Sequence, residues 1–259
     1  MWDIDRVADE LTHRTAQRRA GGRITTEWPD LDLARAYAAQ DRLVQRRVEE
    51  QADHVLGVKL GLTSEAKQRR MGISAPLTAW VTRGMQLAPG APLEIASLIH
   101  PRVEPEIVFE MGEDLAGPGV TLESAMSAVK SVRAGLEVID SRFTDFSFAL
   151  PDVVADNASA AAYVLGDVVV PPDSIDLVAE PCTLAVDDEP VAKATGAAVQ
   201  GHPGEALALA ANALGERGHR IKKGSLVLTG GLTDAVFLTQ GSTVTASFGH
   251  LGSVSLTGI

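Results

Sequence analysis

One cysteine, Cys182, in 259 residues excludes an intrachain disulfide framework and suits a reducing compartment. Basic residues are in the minority. The 23 Lys and Arg stand against 34 Asp and Glu, giving a formal net charge of −11, and no basic stripe offsets it. That balance argues against a nucleic-acid surface, and an anionic ligand would need a local cation. No apolar run approaches the ~18 residues that a membrane-spanning helix requires. The opening MWDIDRVADELTH is charged and has no continuous apolar centre, so no secretory signal is expected and the protein reads as cytoplasmic. G-x-G-x-x-G and Walker loops are absent, which weighs against nucleotide binding. The six histidines (His13, His54, His100, His202, His219 and His250) make neither H-x-H nor H-E-x-x-H spacing, so a zinc-protease reading fails.

What remains is the composition of a soluble globular protein, 45% hydrophobic and 22% charged, long enough for one large domain with a small appendage. Residues 2–18 and 30–51 read as helices. In the second, Leu33, Ala36, Tyr37, Val44 and Val48 fall near helical spacing, Gln40 interrupts the stripe, and Asp30 is placed to cap it. A helical N-terminal region is therefore expected over 1–54. From 55 to 259 short β-rich runs dominate: VLGVKLGL, LIHPRVEPEIVFEM, AGLEVID, AAYVLGDVVV, CTLAVDD, GSLVLTGG and STVTASFG. Helical patterns there are confined to 64–71, 122–132 and 204–218. Strands outnumber helices without regular alternation, so the expected fold is α+β with a mixed, mostly antiparallel β core.

The segment HPRVEPEIVFE places Glu104 and Glu106 at i and i+2, on one face of a strand. Pro105 between them favours a strand edge, where the pair would be charged decoration facing water. A third acid changes the balance. Glu137 stands inside the apolar run AGLEVID, and Leu136 and Val138 take the opposite face. Three carboxylates buried together are strongly destabilising unless a cation lies between them. All-oxygen ligands with open positions suit Mg²⁺ or Mn²⁺ better than Zn²⁺.

Lys59 shares its strand face with Gly57 and Gly61, a bare face of the kind that forms where a ligand or another backbone approaches closely. Beside a metal, such a lysine could donate a proton or bind an anion; the plain alternative is a lysine reaching solvent. Ser64 and Lys67 form S-x-x-K, but its companions S-D-N and K-T-G are missing, and Thr63 or Ser64 is better read as a helix cap. His100, at the start of the glutamate strand, and His202, before a helix, read as structural. Two polar or glycine-rich loops, VVADNAS and LTGG, stand beside apolar runs; in the first, Asp156, Asn157 and Ser159 could contact a ligand or simply make turns.

Taken in order, GVKLGLTS, HPRVEPEI, GLEVIDSR, VVADNAS, GHP, LTGG and LGSVS resemble the 2-keto-4-pentenoate hydratase / 4-oxalocrotonate decarboxylase group of the fumarylacetoacetate hydrolase superfamily, from about residue 25 to the C-terminus. The resemblance implies a β core of the fumarylacetoacetate hydrolase C-terminal-domain type with an Mg²⁺ or Mn²⁺ site. It carries the metal-binding acids onto Glu104, Glu106 and Glu137, and the active-site lysine onto Lys59. It also implies a small 2-oxo dicarboxylic acid substrate, a homo-oligomer and a complex with a hydratase.

Within that group, hydratases carry an acid after the proline of a P-D-F-G-like stretch. Here the stretch is SAPLTAWV, with Leu77 in the acid's place, as in the decarboxylases. VKLGLTS, LIHPR, AGPG at 116–119 and DSRFTDFSF also look more like decarboxylases. The decarboxylases' usual glycine two residues later is absent, a departure from their pattern: Thr78 and Ala79 follow Leu77. The resemblance thus implies decarboxylation of 2-oxo-3-hexenedioate to 2-hydroxypenta-2,4-dienoate, with Leu77, Asp156, Asn157 and Ser159 at the substrate and Arg70 or Arg142 as candidates for its distal carboxylate. The alternatives are a hydratase, a C–C bond hydrolase, which would need a water-activating His/Glu pair near the metal that the sequence does not assign, and a catalytically silent scaffold subunit.

Overall fold

The computed structural model describes residues 1–63, 68 and 76–259. The helix expected over 64–71, the S-x-x-K pair and Arg70 lie outside them, apart from Gln68. Asp3 caps the first helix, α1 (Ile4–Gln17), its carboxylate accepting from the Arg6 N–H at 2.9 Å. Val7, Ala8 and Leu11 form its buried stripe. A single turn, α2 (Ile24–Glu27), leads to α3 (Leu33–Glu50). Its cap is Asp32, whose Oδ1 accepts from the Arg35 N–H at 2.8 Å; the expected cap, Asp30, sits in the turn before it. Gln40 does not break the stripe but is fully buried within it. Its Nε2 donates to Thr78 O at 3.1 Å and Val154 O at 2.9 Å. The apolar faces of α1 and α3 pack with Leu77, Phe143, Val153 and Val154, so the N-terminal helices share a core with residues from the strand-rich part.

The strands are β1 (Val55–Gly61), β2 (Leu77–Thr82), β3 (Gln86–Leu87), β4 (Arg102–Met111), β5 (Val129–Ile139), β6 (Ala160–Leu165), β7 (Pro181–Val186), β8 (Glu189–Thr195), β9 (Leu226–Leu228), β10 (Val236–Phe237), β11 (Thr243–Phe248) and β12 (Ser253–Thr257). They build an eight-stranded sheet in the order β2-β1-β9-β4-β5-β6-β3, with β10 added on β4, and a four-stranded sheet, β12-β11-β7-β8. Only β1–β9 and β3–β6 are parallel, so the described sheets are mixed and mostly antiparallel, as expected. Ile107 and Leu136 of the large sheet pack in one core with Cys182, Leu184, Val244 and Leu256 of the small one. Burial pushes the Cys182 thiol up to about 12; the side chain acts as packing.

The helix expected over 122–132 stops early. Only Leu122–Ser127 is helical, capped by Thr121, and Val129 already begins β5. The β4–β5 ladder runs almost the whole length of both strands, and that pairing overrides a local helical pattern in which Val129 and Val132 are β-branched. Pro105 likewise does not mark an edge, since β4 lies in the middle of the sheet. Between the short partners β9 and β10 the ladder is open, and Pro105 there only accepts, through its carbonyl, from the Leu232 N–H at 2.9 Å. The missing donor costs nothing at that point.

Candidate metal centre and its cavity

The register of β4 against β5 sets Glu104 directly opposite Glu137, and Glu106 opposite Gly135. All three carboxylates therefore point to one face of the sheet, with ligand oxygens within 4.8 Å of one another. Glu104, Glu106 and Glu137 are 9%, 0% and 1% exposed, which rules out charged decoration in water. Lys59 reaches in from β1, 2% exposed. Its Nζ lies 2.7 Å from Glu137 Oε1 and donates to Ala158 O at 3.0 Å. Gly57 on the same strand is required by a close backbone approach, since a Cβ there would overlap Leu226 O.

The LTGG loop after β9 closes over the acids. Gly230, at φ 116°, donates its N–H to Glu106 Oε2 at 2.7 Å, and a Cβ on Gly231 would overlap the Glu104 carboxylate. Among the described residues, Glu106 Oε1 and Glu137 Oε2 are buried and have no hydrogen-bond partner. Burial, then the charges of Glu137 and Glu104, hold the Glu106 carboxyl well above its usual range. Burial also pushes Glu137 up to about 7, with Lys59 opposing. Among the described residues, three ionised carboxylates and one lysine would leave two net negative charges in a buried cluster; one divalent cation would return the sum to zero and could take up the orphan oxygens. The donor set fits a hard divalent ion.

The cluster opens into a cavity of about 580 Å³ whose lining includes Lys59, Glu104, Leu77, Ser159, Arg102 and Asp234. Of the four substrate-contact residues expected from the sequence, Leu77 and Ser159 reach this cavity; Asp156 and Asn157 do not line it. Asn157 instead clamps the backbone of β2, accepting from the Trp80 N–H and donating to Trp80 O, both at 2.8 Å. Asp156 is fully buried against Arg142, which bonds its Oδ1 and its backbone oxygen, while Ser159 donates to its Oδ2 at 3.0 Å. Burial pushes the Asp156 carboxyl up to about 6, with Arg142 opposing.

Together these side chains enforce left-handed backbone at Asn157, Ala158 and Ser159 (φ 51°, 47° and 59°), a strained run that aims the Ala158 carbonyl at Lys59. Arg142 also donates to Asp140 O at 2.8 Å, so its guanidinium is committed within the protein. His100 is structural as expected: its N–H meets Asp140 Oδ1 and its Nε2 meets Ser141 O. His202 caps the helix Pro203–Glu216, its Nδ1 accepting from the Gly204 N–H. A larger groove of about 840 Å³ runs along α3, but Asp41 in its wall is paired with Arg217, and among the described residues no cluster of buried acids lies there.

The model of the fumarylacetoacetate hydrolase C-terminal family matches residues 51–257. The chain belongs to the fumarylacetoacetate hydrolase family. It is 36% identical over 249 residues to a 4-oxalocrotonate decarboxylase from Pseudomonas putida, covering 96% of this chain and 94% of that one. It is 35% identical over 255 residues to a 2-hydroxyhexa-2,4-dienoate hydratase from Comamonas testosteroni, covering 98% and 96%. Among solved structures, a 4-oxalocrotonate decarboxylase from Pseudomonas putida complexed with magnesium and adipate superposes with a TM-score of 0.94 at 34% identity, covering 100% of this chain and 99% of that one. As a member of the fumarylacetoacetate hydrolase family resembling both decarboxylases and hydratases, the chain is lyase-like; these identities do not separate the two reactions.

Proposed function

We propose that this protein is an Mg²⁺-dependent decarboxylase of 2-oxo-3-hexenedioate, with Mn²⁺ as an alternative ion held by Glu104, Glu106 and Glu137. The carrying observation is Leu77. It stands in the wall of the cavity that holds the acids and Lys59, an apolar side chain where addition of water would call for an acid or base. The reaction is balanced without water. The C5–C6 bond breaks and its electron pair becomes the C4=C5 bond. The C3=C4 pair moves to C2=C3, the 2-oxo oxygen takes the negative charge, and CO₂ leaves. Protonation of that oxygen gives 2-hydroxypenta-2,4-dienoate. When bound, the cation supplies Lewis-acid stabilisation of that charge.

Lys59, held by Glu137 and Ala158 O, is positioned to place its proton at the 2-oxo oxygen. Ser159 offers a further hydroxyl at the cavity wall. Leu62, Leu77, Ile139, Phe148 and Val153 form an apolar part of the wall, which strengthens charge interactions beside it. The second reading is a hydratase, favoured by Asp234 in the same wall. Purified protein with Mg²⁺ is given each substrate in turn. CO₂ release from 2-oxo-3-hexenedioate supports decarboxylation; formation of 4-hydroxy-2-oxopentanoate from 2-hydroxypenta-2,4-dienoate, without CO₂ release from the diacid, overturns it.

A further inference from the structure

Arg102 precedes Glu104 by two residues on β4, so it projects from the same face as the acids, and it lines the same cavity. Its guanidinium lies between two aromatic rings, 4.3 Å from the Phe146 centroid and 4.4 Å from that of Phe237. Phe146 is itself fixed. It stacks on His100 with centroids 4.8 Å apart and holds a left-handed φ of 55°, a strained backbone that the surroundings must enforce. These two aromatic contacts restrain the guanidinium and leave its hydrogen-bonding rim to meet a ligand. The buried Arg102 Nε has no hydrogen-bond partner among the described residues.

The other described arginines near the site are committed. Arg142 is spent on Asp156, Asp140 O and Ala160 O, and Arg23, which is exposed, on Ser147. A half-buried guanidinium with an unsatisfied donor, immobilised in the wall of an acid-binding cavity, is a site prepared for an anion.

We infer that Arg102 determines specificity by gripping the substrate carboxylate remote from the 2-oxo acid end. The inference rests on the function proposed above, which puts the 2-oxo acid end at the Glu104, Glu106 and Glu137 cluster. The test compares 2-oxohexanedioate with 2-oxohexanoate, which share the 2-oxo acid end and chain length and differ only in the distal carboxylate. Their binding to the full chain with Mg²⁺ is measured by calorimetry for wild type, Arg102→Gln, Arg102→Lys and Phe237→Ala.

Wild type is expected to prefer the diacid by about 10- to 100-fold, the range for a charged hydrogen-bonded contact. Arg102→Gln should reduce that preference to about threefold or less while 2-oxohexanoate binds as before. Arg102→Lys keeps the charge and loses the fork, so it should retain part of the preference. Phe237→Ala, at a residue 56% exposed and so tolerant of truncation, should lose part of it through a loosened guanidinium. A diacid preference that is absent in wild type or intact in Arg102→Gln overturns the inference alone. Equal weakening of both ligands also overturns it, by placing Arg102 at the 2-oxo acid end. Wild type that binds neither keto acid overturns the proposed reaction, and this inference with it.

Discussion

Glu104 and Glu137 face each other directly across the β4–β5 ladder, and Glu106 stands one pleat further along the same face. Like charges in that register repel, and burial multiplies the cost. The site is therefore a liability to the fold unless a cation fills it.

Thermal stability should report this directly. Mg²⁺ at about 100 times its Kd should add about 2.7 kcal/mol, a rise of a few degrees in Tm for a chain of this size. Glu106→Gln should raise Tm above wild type in EDTA and abolish the Mg²⁺-dependent rise. A variant less stable than wild type in EDTA would argue that Glu106 is held by something other than a cation.

The pH dependence of the metal-free protein has a definite sign. Burial raises Glu137 from 4.5 to about 7, so the native state keeps its proton longer than the unfolded chain does. Its contribution is complete below about pH 4.5 and is lost as pH rises through about 7. Urea unfolding in EDTA should show stability falling across that window. Saturating Mg²⁺ should remove the slope, because a bound cation keeps the carboxylates ionised. A metal-free protein that gains stability over that window would contradict the buried acid cluster.

Asn157→Ala removes the clamp on Trp80 and leaves a part-buried N–H and C=O of β2 without these partners. The expected cost is about 1–3 kcal/mol for each group left unsatisfied. Because Ala158 O then loses its fixed aim at Lys59, kcat should fall more than KM rises. A change confined to KM would put Asn157 on the substrate instead.

Leu77→Asp places a carboxylate in the wall of the cavity that Glu104 also lines. Repulsion of a dianionic substrate should lower kcat/KM for CO₂ release by at least about tenfold. Appearance of hydration activity in this variant would support Leu77 as the group that separates the two reactions. Undiminished CO₂ release would remove it from that role.

The acids were legible in the sequence because strand parity alone puts Glu104 and Glu106 on one face, and a buried third carboxylate demands a counter-charge. Lys59 was legible from its flanking glycines, though Gly57 is explained by backbone contact with Leu226 and not by a ligand. Asp156 and Asn157 were visible as polar loop residues, but sequence could not show that their hydrogen bonds turn inward, to Arg142 and Trp80. Arg102 carried no signal, since an arginine at a strand start is ordinary; its two aromatic neighbours come from Phe146 and Phe237, far away in the chain. β2 and β8 showed no clear strand pattern. β2 is buried on nearly every residue and so does not alternate, and β8 is a mostly exposed edge. Pro105 misled because an open stretch of ladder inside a sheet looks, from sequence, like an edge.

The most direct measurement is Mn²⁺ titration of the full chain, following free ion by electron paramagnetic resonance, for wild type and Glu106→Gln. One tightly bound ion per chain is expected for wild type, with affinity weakened at least about a hundredfold in the variant, more than the loss typical of a residue that only supports a ligand. Equal affinity and stoichiometry in the two proteins would contradict convergence of the three carboxylates on one cation.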